Sequence, residues 1–168
     1  MTHNDQALVY LVCGSTGAGK TTYSRKLAQE LDGIHFSIDE WMVPLFGEDA
    51  PKELNPGWIF PRTNRCETQI WAIAMQLAST GTPAILDLGF QKKTHRQKFM
   101  MLAREAGISA RLHFLDVAAT ERWNRVQKRN AEQGETYQMM ITRGMFDYVE
   151  TIWEPPGADE IPMVSQAD

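Results

Sequence analysis

The chain has 168 residues, 43% hydrophobic and 23% charged, with a net charge of −4. This is ordinary for one soluble globular domain that buries roughly 70% of its unfolded surface, and it excludes a protein drawn to nucleic acid or an anionic membrane by global charge. Two cysteines, Cys13 and Cys66, are too few for a disulfide framework.

Residues 1–6 lack the basic start of a targeting peptide, and the apolar run behind them is too short to span a bilayer. A cytoplasmic protein without membrane contact is expected, either a monomer or a weak dimer. Residues 7–13 (ALVYLVC) form a continuous apolar run with β-branched and aromatic members, the pattern of a strand buried on both faces. After a glycine-rich stretch, residues 20–31 place Tyr23, Leu27, Ala28 and Leu31 on one helical side, and Asp32-Gly33 stops them. A second strand is expected over 34–38, followed by Asp39-Glu40. Residues 44–62 are rich in proline and glycine, with Trp41, Phe46, Trp58 and Phe60 in and beside them, and read as an irregular functional loop or lid.

A helix is expected over 64–79, a buried strand over 83–88 (PAILDL), and a helix over 94–106 closed by Gly107. A strand follows over 110–117 (ARLHFLDV), then helices over 120–132 and 136–151 with Gly134 between them. Glu154-Pro155-Pro156-Gly157 cannot be helical. Alternating strands and helices make the class α/β, with three layers around a parallel sheet of about four to five strands. No internal repeat divides the chain, so residues 1–168 are expected to form a single domain with a helical lid around 120–135.

The stretch from Gly14 to Thr21 (GSTGAGKT) satisfies G-x-x-x-x-G-K-[ST] in full, between a buried strand and an amphipathic helix. Glycines let successive N–H groups turn inward as an anion nest, and the helix begun at Lys20 adds its unpaired N-terminal donors. The expected phosphate contacts are Gly14, Ser15, Thr16, Gly17, Ala18, Gly19, Lys20, Thr21 and Thr22. Lys20 would reach the terminal phosphates, and the Thr21 hydroxyl would serve Mg²⁺. No Asn-Lys-x-Asp motif for reading guanine occurs, which favours ATP.

Three further features arrive at the carboxyl edge of the sheet, where ligands of open α/β folds gather. Asp39, after the second strand, is placed to orient an acceptor hydroxyl and take its proton, or to cap a short helix. Asp87, ending PAILD, reads as a metal-holding aspartate or a plain turn residue. Arg125 and Arg129 share one helix face with Arg122 nearby. They suit a leaving phosphoryl group, or a solvated face paired with Glu121 and Glu132. Between Lys92 and Arg129 there are ten Lys/Arg against three Asp/Glu, a basic segment in an acidic chain that suits a localised polyanion.

With GSTGAGKTT, the post-strand Asp39, ILDLGFQKKTHRQKF, FLDVAATERWNRVQKRN and WEPPGADE, the chain resembles the small P-loop kinases related to the kinase domain of polynucleotide kinase, zeta toxins and chloramphenicol phosphotransferase. The resemblance implies a P-loop NTPase fold with an AAA-type ATP-binding domain, and ATP with Mg²⁺ as cofactors. It implies Asp39 as general base and Lys20, Arg125 and Arg129 as catalytic groups on the phosphates, with Thr21 and Asp87 at the metal. Asp39 and Arg96 would bind the acceptor, while Trp41, with Trp58 and Phe60, suits a flat or apolar acceptor or belongs to the core. One departure is informative: polynucleotide kinase has an arginine three residues after its catalytic aspartate, and here that residue is Met42. The reading is therefore an ATP-dependent kinase acting on a hydroxyl of a small or nucleotide-like acceptor. The alternatives are a polynucleotide 5′-hydroxyl kinase, with nucleic acid as acceptor, and a nucleotide-dependent switch or regulatory ATPase acting through a partner protein.

Overall fold

The computed structural model describes residues 7–53, 55–134, 137 and 139–160. The expectations for residues 1–6, and for the start of a helix at Thr136, lie outside the described residues. The strands β1 (Val9–Cys13), β2 (Ile34–Ser37), β3 (Ala84–Asp87) and β4 (Ala110–Phe114) form one parallel sheet in the order β2-β3-β1-β4. The helices are α1 (Lys20–Glu30), α2 (Ile38–Phe46), α3 (Pro56–Ser79), α4 (Lys93–Glu105), α5 (Ala119–Glu132) and α6 (Arg143–Ile152).

Strand periodicity divides the core into two layers. Val9, Leu11 and Cys13 of β1 join Ala84, Leu86, Leu112 and Phe114 on one face, packed against Ile70 and Ala74 of α3 and Phe99 of α4. Tyr10 and Val12, with Ile85, point to the other face and meet Leu27 and Ala28 of α1. Helices on both faces of a parallel sheet leave only its ends open, so ligand chemistry is confined to the carboxyl edge.

Of the stretch expected to be irregular over 44–62, residues 44–46 and 56–62 are helical, and the connection between α2 and α3 is residues 47–55. Pro44 lies inside α2 and Pro61 inside α3. Proline removes one hydrogen bond and crowds one carbonyl, and two caps counter this locally. Ser37 Oγ accepts from the Glu40 N–H (3.4 Å), and Asn55 Oδ1 accepts from the Trp58 N–H (3.0 Å). Packing of α2 on α3 completes the support, with Met42 Sδ between Thr63 Oγ1 (3.8 Å) and Cys66 Sγ (4.0 Å). The last helix is also shorter than its periodicity suggests, because Thr142 caps it by accepting from the Met145 N–H at 3.2 Å.

Candidate functional site

The stretch between β1 and α1 bends through Gly17 (φ +82°) and Gly19 (φ +90°), a region where L side chains are strained. Gly17 is also sterically required, since a Cβ there would sit 2.5 Å from the Arg122 carbonyl oxygen. Lys20 Nζ donates to the carbonyls of Gly14 (2.9 Å) and Ser15 (3.4 Å), so the ammonium is folded back across the loop it follows. Burial lowers the Lys20 pKa, and the charges of Asp87 and Asp39 partly restore it.

Residues 16–22 all line a cavity of about 1470 Å³ at the carboxyl edge of the sheet. That exceeds the usual volume of a single small-ligand pocket, about 300–1,000 Å³, and leaves room for two bound molecules. Gly14 and Ser15 stand behind this lining: their carbonyls hold Lys20, and the Ser15 hydroxyl turns away to donate to Glu150 Oε1 at 2.6 Å. Arg122 donates to both Glu150 oxygens (2.8 and 2.7 Å) and to the Thr16 carbonyl (3.1 Å). The Arg122 hydrogen bonds, outweighing burial and aided by Ser15, hold the Glu150 carboxyl below the usual carboxylate range. This bracing from α6 was not anticipated. Ser15 and Glu150 are 135 residues apart, and no local spacing announces their contact.

Thr21 Oγ1 donates to Asp87 Oδ2 at 2.8 Å, joining the start of α1 to the end of β3. Behind them, His35 Nε2 lies 3.7 Å from the same Asp87 oxygen, buried and without a hydrogen-bond partner among the described residues. A hydroxyl beside a buried carboxylate is a hard-oxygen pair of the kind that suits Mg²⁺. Among the described residues no group of three His, Cys, Asp or Glu could hold a metal without outside help. Phosphate oxygens would have to complete the shell.

Asp39 stands in the first turn of α2, but the capping role belongs to Ser37, so its carboxylate opens onto the cavity. Its side chain is exposed within the cleft, and the cavity walls surround it. Desolvation by those walls raises its pKa, the nearby Asp87 charge raises it further, and Lys20 and Arg129 oppose both. On the opposite wall, Arg125 NH1 donates to the Ala18 carbonyl at 3.3 Å while its other end pairs with Glu121. Arg129 also lines the cavity, and its Nε is buried with no hydrogen-bond partner among the described residues.

Two expected acceptor contacts are corrected. Trp41 packs against the core on the α3–α4 side, and its neighbours Met42 and Val43 line the cavity in its place. Arg96 is 0% exposed and fully engaged in protein contacts. It pairs with both Glu160 oxygens (2.8 and 2.9 Å) and donates to the Phe90 (3.0 Å) and Glu154 (2.8 Å) carbonyls. It ties the C-terminal segment to the turn after β3, where Phe90 is held at φ +48°. An arginine in a basic, loop-following stretch looks the same in sequence whether it faces a ligand or the chain's own tail. No helix among the described residues is long and apolar enough to cross a membrane.

Several solved structures share this architecture. A sugar kinase from Janibacter sp. HTCC2649 aligns over 96% of this chain and 86% of its own, at 18% identity and a TM-score of 0.65. A gluconokinase from Sinorhizobium meliloti 1021 aligns over 96% and 84%, at 16% identity and a TM-score of 0.63. The Mycobacterium tuberculosis APS kinase CysC, in complex with AMPPNP and APS, aligns over 97% and 90%, at 14% identity and a TM-score of 0.65. At such identities the likeness is one of fold, and the fold is that of P-loop kinases. No curated protein is matched at the sequence level. Residues 9–145, most of the chain and the whole glycine-rich stretch between β1 and α1, match the AAA domain model AAA_33, and the chain belongs to that family.

Proposed function

We propose that this protein is an ATP-dependent kinase that transfers the γ-phosphoryl group to a hydroxyl of a small-molecule acceptor. One observation carries the reading. The Asp39 carboxylate, in the first turn of α2 just after β2, faces the same cavity as the glycine-rich loop, where burial and the Asp87 charge raise its pKa and Lys20 and Arg129 oppose them. ATP would lie with its phosphates along residues 16–22. Mg²⁺, held by Thr21 and Asp87 with the phosphates, would supply charge neutralisation of the β- and γ-oxygens. Asp39 accepts the proton of the acceptor hydroxyl as that oxygen bonds to the γ-phosphorus. The bond to the β–γ bridging oxygen breaks, and ADP leaves. Lys20, Arg125 and Arg129 stabilise the charge that develops during transfer, with α5 as the lid that carries both arginines. The kinase-fold neighbours support this reading.

The test is γ-labelled ATP with a panel of metabolites and oligonucleotides. Asp39→Asn should bind ATP as the wild type does and lose transfer by at least about 10²-fold, the scale of general-base catalysis. Unchanged turnover in that variant removes Asp39 from the mechanism. The polynucleotide 5′-hydroxyl kinase reading has less support, because Met42 occupies the position expected to meet a substrate phosphate and is packed against Thr63 and Cys66.

A further inference from the structure

Beyond Asp39 the cavity continues between α2, the first half of α3 and the turn leading into α4, and this end differs chemically from the phosphate end. The two lysines that line this end already have carboxylate partners, and His95 lies against one of those carboxylates. Lys98 Nζ lies 3.1 Å from Glu67 Oε2, His95 Nε2 lies 2.8 Å from Glu67 Oε1, and Lys92 Nζ lies 3.0 Å from Glu154 Oε1. Glu67 is only 5% exposed. Burial alone would raise its pKa, yet the hydrogen bonds and charges of His95 and Lys98 outweigh burial and keep it low. Glu67 is therefore a buried carboxylate that depends on both neighbours. Drawing Lys98 toward a bound anion would strip one of them away and bring a second negative charge close, an arrangement that low-dielectric surroundings penalise strongly.

The same end offers surfaces suited to an uncharged molecule. Trp58 lines the cavity with the Arg62 guanidinium 4.3 Å over its ring, which fixes the ring plane. Phe60, 68% exposed, forms an apolar rim. Thr63, whose hydroxyl donates to Met42 Sδ and keeps its lone pairs, and Asn64 line the wall one helical turn further on, and Asp39 adds its carboxylate. Aromatic rings can cover the C–H face of a ring or polyol, while the hydroxyl, amide and carboxylate groups can meet its hydroxyls or an amine.

We propose, resting on the kinase reading above, that the acceptor is a hydroxylated molecule with an uncharged or cationic body and an apolar face. Acceptors bearing phosphate, sulfate or carboxylate are disfavoured by charge at this end.

The experiment has two arms. In the first, the protein loaded with Mg²⁺ and a non-hydrolysable ATP analogue is titrated calorimetrically with inorganic phosphate and sulfate, in wild type, Lys98→Ala and Lys92→Ala. The expected result is no anion binding that either lysine substitution removes. Binding lost in either variant overturns the proposal. Lys92 pairs with the half-exposed Glu154, so Lys92→Ala should fold, and Lys98→Ala is measured alongside Lys98→Ala/Glu67→Gln, which leaves no unpaired carboxylate buried. In the second arm, γ-labelled ATP is given with matched acceptors, a hexose against its hexonate and a nucleoside against its 3′-phosphate. The uncharged member should be favoured in kcat/KM by at least about tenfold, the effect of one repelled charge, and preference for the anionic member overturns the assignment. Failure of the kinase reading itself has a different signature: no labelled product from any pair while the nucleotide still binds. The first arm decides the charge question even then.

Discussion

The cleft has a glycine-loop end and a helix-walled end, the proposed phosphate and acceptor ends, and the two are built on different principles. At the phosphate end, seven consecutive residues, 16–22, face the cavity, and the backbone behind them is held by Lys20, by Arg122 on the Thr16 carbonyl and by Glu150 on Ser15. At the acceptor end the wall comes from two helices that each contain a proline, joined by residues 47–55, with an exposed aromatic at the rim. A triphosphate has one shape and a fixed charge pattern, so a rigid nest of donors can be ready before it binds. In the proposed reading, recognition of the acceptor would rest instead on side chains projecting from helices, where shape and charge can be set residue by residue. The contrast suggests that substitutions behind the loop should disturb nucleotide binding, and those at the rim should disturb only the acceptor.

The largest expected effect comes from Arg96, which supports the acceptor-side turn from behind. Arg96→Met leaves Glu160 and two carbonyls without their donor, and should cost about 3 kcal/mol of stability, as for other buried pairs broken from one side. Urea unfolding measures it. If Arg96 met the acceptor directly, stability would hold and KM would rise. Acid should act at both ends of the cleft. Glu67, Glu150 and Glu160 have pKa values below the usual carboxylate range, through His95 and Lys98, Arg122, and Arg96 respectively. Their unfolded forms bind more protons, so the stabilisation they supply is complete above about pH 4.3, the unperturbed glutamate value. It is lost as pH falls through the lowered folded values. Urea midpoints followed from pH 7 to pH 3 should drop steeply in wild type and less steeply in Glu160→Gln.

A smaller effect isolates the loop bracing. Glu150→Gln keeps an acceptor for Arg122 but loses the charge, and should weaken ATP binding by about 1 kcal/mol, or roughly fivefold, with the acceptor KM unmoved. An equal change in both constants would mean that the two ends are mechanically coupled. The smallest belongs to the rim. Phe60→Ala should raise the acceptor KM about threefold, within the range of a single aromatic contact, and leave ATP binding alone. A shift in ATP affinity instead would place the ring over the nucleotide and break the proposed division.

Much of the phosphate end was readable because its chemistry is local. The motif from Gly14 to Thr21 needs neighbours in the chain, and the four strands are short apolar runs whose period is set by the backbone. Asp39 and Asp87 were legible as strand-end carboxylates, although only the packing separates Asp39 from Ser37 as the helix cap. The prolines misled the reading of 44–62, since a cost of one hydrogen bond is decisive in an isolated helix and bearable in one packed against another. Trp41 and Arg96 depart from their expected place at the acceptor because side-chain type says nothing about which side of a helix meets the core.

Sequence alone determined the strands β1 to β4, the parallel sheet and the glycine loop, which follow from backbone preference and short apolar runs, whereas α2 and the early start of α3 depended on packing. Only tertiary structure decided which charged groups are spent inside the protein: Arg96 on Glu160, Arg122 on Glu150, and Lys98 and His95 on Glu67. Whether a charge is free to meet a ligand depends on the partner that folding brings beside it, and those partners lie from 28 to 64 residues away in the chain.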